Sequence, residues 1–133
     1  YNGHIIASEI ARGLDIFALK PSAFISQNEI DAAKSVHLAF FNAQDQPKFV
    51  WPATLALSRS YVDQLERSGG LSSGRISSVR DALASAEKAS GDARKSALSS
   101  LAERVDRDAA GSRDAAKVKM LASSVRDLAS ATK

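Results

Sequence analysis

Tyr1–Leu19 reads YNGHIIASEIARGLDIFAL, and it is the only part of the 133-residue chain with a clear strand pattern. In an extended segment successive side chains point to opposite faces. Ile6, Ser8 and Ile10 therefore share one face, and Ile5, Ala7 and Glu9 the other. Beyond Ala11-Arg12-Gly13 the alternation resumes, with Leu14, Ile16 and Ala18 set against Asp15, Phe17 and Leu19. Two alternating, β-branched runs around a three-residue loop with a late glycine predict a hairpin. Gly13 takes the left-handed position that such loops need. A lone hairpin is marginal in water and leaves two open edges. The expectation is that residues 1–20 are a β-hairpin remnant of a larger β-sheet, the orphan last piece of a propeller-like blade.

Composition sets the frame for the rest. Hydrophobic residues make up 44% of the chain and charged residues 25%, a globular rather than a disordered balance. No apolar run approaches the length of a membrane span. The first residue is Tyr and no charged-then-apolar leader follows, so any targeting signal is expected upstream or already removed. Cysteine is absent, which rules out disulfides, thiolate metal sites and cysteine nucleophiles. Residues 1–50 carry four Lys/Arg and five Asp/Glu, whereas residues 51–133 carry fourteen and ten. The basic excess of the second part is interleaved with acids, the pattern of a solvated helix face rather than a basic stripe.

Residues 21–50 read as a short helix and a connector. Ser26 and Glu29 form the S-x-x-E pair of a capping box, with Ile25 and Ile30 at the positions of a hydrophobic staple. The helix is expected over Gln27–Val36, with Ile30, Ala33 and His37 on its inner side. Asn42, Asp45 and Pro47 bring turn chemistry to the connector, and Phe40, Phe41 and Phe49 are available to pin it.

From Trp51 onward alanine and serine dominate, and Trp51 and Tyr61 are the last aromatic residues. Residues 51–133 read as a helical bundle. Pro52 suits the first position of a helix running to about Arg67, with Trp51, Leu55, Val62 and Leu65 on one face and Gly69-Gly70 as its stop. A second helix starts at Ser72 and buries Ile76, Val79, Leu83 and Ala86. The third starts near Asp92 and buries Leu98, Leu101, Ala102 and Val105. The fourth starts near Ser112 or Asp114, with a stripe of Val118, Leu121, Val125, Leu128 and Thr132. Short connections between helices of similar length favour antiparallel neighbours. The fold class is therefore mainly α: a four-helix up-down bundle preceded by a β-hairpin and one short helix. The segment SSVRD occurs at 77–81 and again at 123–127, and in helices this rich in Ser, Ala and Arg the match fits chance as well as duplication.

No catalytic constellation is found. His4 and His37 are distant in sequence and have no ligand-spaced partner. Gly69-Gly70-Leu71-Ser72-Ser73-Gly74 resembles a phosphate loop but lacks the Lys-Ser/Thr that would come after it, and a helix stop followed by a helix start explains it. Gly70 and Gly74 also form a GxxxG spacing, which carries little information in polar surroundings. Asp63 with Glu66, and Asp106 with Asp108, lie close in sequence but are flanked by Arg59, Arg67, Arg104 and Arg107. They are read as exposed, ion-paired carboxylates rather than general acids. No catalytic, cofactor-binding or metal-binding residue is assigned, and no cofactor is expected.

Tyr1-Asn2-Gly3-His4-Ile5-Ile6, with Ser8-Glu9-Ile10-Ala11-Arg12-Gly13-Leu14-Asp15-Ile16-Phe17 after it, resembles the closing segment of bacterial LVIVD-repeat proteins. Ser26-Gln27-Asn28-Glu29-Ile30-Asp31-Ala32-Ala33, Trp51-Pro52 and Tyr61-Val62-Asp63-Gln64-Leu65 are similar to stretches downstream of that segment in those proteins. The repeats and the LVIVD phrase itself do not occur in this chain. The resemblance implies a secreted or cell-surface protein, propeller-like, with its repeats preceding Tyr1. It transfers location and architecture, and no functional residue. The expected function is a non-enzymatic structural or interaction module, a C-terminal helical tail whose partners are the propeller of its parent chain and other surface proteins. The alternative is a basic helical module binding an anionic polymer, with nucleic acid disfavoured by the interleaved acids.

Overall fold

The computed structural model describes residues 2–46 and 48–132. Tyr1, at the head of the expected hairpin, and Pro47, assigned to a turn in the connector, lie outside the described residues. Strands β1 (His4–Glu9) and β2 (Gly13–Ala18) pair antiparallel, with Ile6 opposite Ile16 and Glu9 opposite Gly13. The loop is Ile10-Ala11-Arg12, one residue earlier than the sequence suggests. The Glu9 carboxylate explains the shift. It accepts the amides of Ala11 at 3.0 Å and Arg12 at 2.8 Å, which fixes the turn directly after Glu9. Gly13, at φ +97°, becomes the first paired residue of β2, and Ile10, expected on a strand face, stands fully exposed in the loop.

Among the described residues the two strands pair with each other and pack on no helix. The hairpin is anchored at its root instead. The Asn2 side chain donates to the Leu38 carbonyl at 3.2 Å and accepts the Leu38 amide at 2.9 Å. Asn2 holds a positive φ of 49°, a conformation asparagine tolerates better than most residues.

Helix α1 (Gln27–Lys34) begins as the sequence predicts. The Ser26 hydroxyl accepts the Glu29 amide at 3.2 Å, and the Glu29 carboxylate accepts the Ser26 amide at 2.7 Å. It ends two residues earlier than expected and buries Ile30 and Ala32, while Ala33 and His37 are not buried. Packing on a single neighbour, α2, selects which of the adjacent alanines faces inward.

Helices α2 (Leu55–Ser68), α3 (Ser73–Lys88), α4 (Gly91–Asp108) and α5 (Ala115–Ala131) form a four-helix up-down bundle. Each packs on the next, and α5 closes the ring against α2. α2 does not start at Pro52. Thr54, in extended backbone, caps it by accepting the Leu57 amide at 3.1 Å, which leaves Trp51 outside the helix and exposed. Gly69 ends α2 in the left-handed conformation. Asp114, rather than Ser112, caps α5, accepting the Lys117 amide at 2.9 Å.

One core runs through the bundle. Every position assigned to the stripes of α3 and α4 is buried, as are Val118, Leu121, Val125 and Leu128 of α5, whereas Thr132 is half-buried. Ser58 of α2 and Ser124 of α5 sit inside this core with their hydroxyl oxygens 3.1 Å apart. Both SSVRD segments are helical and bury their valine, Val79 and Val125, but Ser124 is buried whereas the equivalent Ser78 is exposed.

Candidate interaction surface

Apolar exposure divides the chain sharply. Among the described residues, Met120 is the only exposed large hydrophobic side chain of the bundle, and all the others lie between Ile5 and Trp51. On the hairpin both faces are bare. Ile6, Leu14 and Ile16 lie on one face and Ile5 and Phe17 on the other, each with about half or more of its surface exposed. Phe24 and Phe40 add further uncovered rings, at 86% and 79% exposure. Soluble proteins rarely leave apolar surface of this extent open without a partner. The strand edges are also open, and β1 carries no charged residue between His4 and Glu9 to discourage pairing.

At the root of the hairpin an apolar cleft of about 330 Å³ separates the strands from α1 and the connector. Ile5, Leu19, Ile30, Phe41, Phe49 and Trp51 are among its lining residues. Phe41 and Phe49 stack there with ring centres 5.9 Å apart and planes inclined by 26°.

A polar network holds this region to the bundle. Arg67 of α2 grips Glu29 of α1 with two hydrogen bonds, at 2.9 and 2.7 Å. The bonds from Arg67, assisted by the Ser26 amide and resisted by partial burial, hold the Glu29 carboxyl at about 2. Asn28 of α1 donates to Asp63 of α2 at 2.7 Å, and Arg80 of α3 reaches Asp63 at 2.8 Å and Glu66 at 2.7 and 2.8 Å. Burial raises the Asp63 carboxyl, but the bonds from Asn28 and Arg80 outweigh it and hold the group below the ordinary carboxylate range. Asp63 and Glu66 are thus ion-paired as the sequence suggests, though through Arg80 rather than their own helix's arginines. Asp63 is not exposed as expected, its side chain being 13% accessible.

The remaining positions weighed from sequence do not converge. His4 lies on β1 and His37 beyond α1, and neither is buried. Among the described residues no group of three or more His, Cys, Asp or Glu side chains is placed to hold a metal ion, and no helix is long and apolar enough to cross a membrane. Of the glycine stretch 69–74, residues 69–72 form the α2–α3 turn beside a cavity of about 520 Å³ that Arg75, Arg107 and Arg113 also line, and Ser73 and Gly74 open α3. Arg75 is engaged by Asp108. No protein family, curated protein or solved structure matches the chain.

Sequence reasoning missed the cleft because its walls come from three separate segments. The aromatic residues Phe41, Phe49 and Trp51, interrupting an otherwise polar connector, were the available signal.

Proposed function

We propose that this chain is a non-enzymatic interaction module whose hairpin completes a multi-stranded β body, with the bundle as its rigid base. The observation that carries this reading is the bareness of both hairpin faces. A strand pair exposed at the surface of a sheet has one apolar face and one polar face; one enclosed between layers has two apolar faces. Ile5 and Phe17 on one side, with Ile6 and Ile16 on the other, fit the enclosed case. The two open edges supply the backbone pairing that such an insertion needs. The resemblance to LVIVD-repeat proteins agrees with a propeller-like body, where neighbouring blades cover both faces of each sheet, and with a secreted or cell-surface location. The Glu29–Arg67 clamp would then fix the orientation of bundle and β body.

The test begins with the coding sequence ahead of Tyr1, which should specify strand-rich repeats. A chain carrying that segment should protect the backbone amides of residues 4–18 from hydrogen exchange, while residues 1–133 alone should leave them exchanging rapidly. Strong protection in residues 1–133 alone, or no strand-rich segment in the gene, would refute the reading. Binding to an anionic polymer is the competing reading, and it is disfavoured because Arg59, Arg67, Arg75 and Arg80 are already paired with carboxylates on other helices. Retention on heparin or random-sequence DNA at physiological salt should be absent; micromolar binding with a steep salt slope would favour that reading instead.

A further inference from the structure

We infer that the cleft at the root of the hairpin is a binding site for a small, neutral, flat hydrophobic molecule of two or three rings. Size comes first. An engineered apolar cavity of about 150 Å³ takes benzene, and this cleft has about 330 Å³, the lower end of the range for ligand pockets. Charge comes next. Among the described residues, no Asp, Glu, Lys or Arg side chain lines the cleft, and His4 is the one titratable group in its wall. The amide of Asn2, which does line it, is spent on both backbone groups of Leu38. A charged ligand would lose its hydration there with only one imidazole, that of His4, to face it. Shape decides the rest. The stacked pair Phe41 and Phe49, together with Trp51, offers ring faces and edges to a flat guest, while Ile30 and Leu19 supply aliphatic walls.

The lining residues all belong to this chain, so the cleft can be tested on residues 1–133 without the β body. Trp51 is the only tryptophan and lines the cleft, which makes it a built-in reporter. The full 133-residue chain is titrated with N-phenyl-1-naphthylamine, a neutral probe, while Trp51 is excited. Saturable energy transfer at one probe per chain is expected. Ala33→Phe fills the cleft from the flank of α1 and should weaken binding at least tenfold. Val36→Phe, from the chain just past α1, should do the same and guards against misfolding of either variant, each checked by its circular dichroism. Ile16→Ser removes apolar surface from the hairpin outside the cleft and should leave affinity within twofold. Absence of energy transfer, binding that does not saturate, or binding lost in Ile16→Ser and kept in both filled variants would overturn the inference. The last result would place the probe on the bare hairpin instead.

Discussion

Arg67 and Glu29 meet fork to fork, Nη1 lying 2.9 Å from Oε2 and Nη2 2.7 Å from Oε1, across the gap between α2 and α1. The same Glu29 oxygen, Oε2, accepts the Ser26 amide. One carboxylate therefore closes the start of α1 and docks α1 on the bundle. An eight-residue helix is too short to persist alone, so its formation and its docking are coupled.

This coupling makes α1 acid-sensitive. The folded carboxyl of Glu29 sits at about 2, against an ordinary value of 4.5. Its folded value is depressed, so its stabilising contribution is fully present above pH 4.5 and is lost as pH falls towards 2. Protection of the Ile30 and Asp31 amides, measured against their intrinsic exchange rates, should fall across that window while the amides of α4 stay protected. Glu29→Gln should show fast exchange in α1 already at pH 7. Arg67→Ala should cost about 1 kcal/mol of docking free energy, modest because the Arg67 side chain is 36% exposed and solvent screens the pair. A protection factor at Ile30 that stays constant from pH 7 to pH 2 would show that the clamp does not hold α1.

The buried hydroxyl pair predicts an asymmetry. Ser124 donates its proton to the Leu121 carbonyl at 2.8 Å, so Ser58 must be the donor in the 3.1 Å contact between the two. Ser124→Ala takes the acceptor away from a fully buried Ser58 hydroxyl and should cost about 1–3 kcal/mol. Ser58→Ala leaves Ser124 with its carbonyl partner and should cost less than about 1 kcal/mol. The double variant should be no worse than Ser124→Ala alone. Urea unfolding of the three variants closes the cycle, and equal costs for the two single changes would contradict the assigned donor.

The bundle's stripes were legible in sequence because each is an uninterrupted 3.6-residue rhythm in an alanine background; Ile76, Val79, Leu83 and Ala86 need no tertiary information. The capping box at Ser26 and the glycine stop after α2 were legible for the same local reason. The choice of Ala32 over Ala33 was not, since only the position of α2 decides it. Nor were the ion-pair partners. Arg80 has Asp81 beside it in sequence, but adjacent residues on a helix point apart, and it spans to Asp63 and Glu66 of another helix. Ile10 was misplaced because sharing a strand face with Ser8 says nothing of Glu9, whose carboxylate starts the turn. The cleft was signalled only by the aromatic residues of the connector, because its walls are assembled from segments up to about 50 residues apart.

The GxxxG spacing at Gly70 and Gly74 hides two unlike residues. A Cβ at Gly70 would lie 2.7 Å from Leu65 Cδ2 and 3.3 Å from Asp114 Cβ, in the joint where the Gly70 carbonyl accepts the Arg113 amide at 3.1 Å. At Gly74, in the first turn of α3, a Cβ would meet nothing within 4 Å. Gly74→Ala should raise stability by about 0.4–1 kcal/mol by restricting the unfolded chain. Gly70→Ala should lower it by about 1–3 kcal/mol through overpacking. Thermal melts with shifts of opposite sign are the expected readout, and shifts of the same sign would show that the joint is looser than these contacts imply.

The core also predicts which part of the chain folds without help. Among the described residues, every member of the main buried cluster lies between Val62 and Ala129, and none comes from the hairpin, α1 or the connector. Removal of residues 1–50 exposes the surface of α2 that α1 covers, but it takes no side chain from that cluster. Residues 51–133 should therefore fold alone and melt cooperatively by circular dichroism. Within that fragment Leu101, 2% exposed and near the middle of α4, is a stringent single truncation to test. Leu101→Ala should cost about 2–5 kcal/mol, the usual range for truncating a buried leucine. The stripes of this bundle hold many alanines, each burying little apolar area, so the total stability is modest and such a loss should abolish cooperative folding of the fragment. The full chain should tolerate it no better, because the hairpin contributes nothing to that core. If the full chain withstands Leu101→Ala while the fragment does not, residues 1–50 stabilise the bundle from outside its core, and the clamp between Glu29 and Arg67 is the contact through which they would do so.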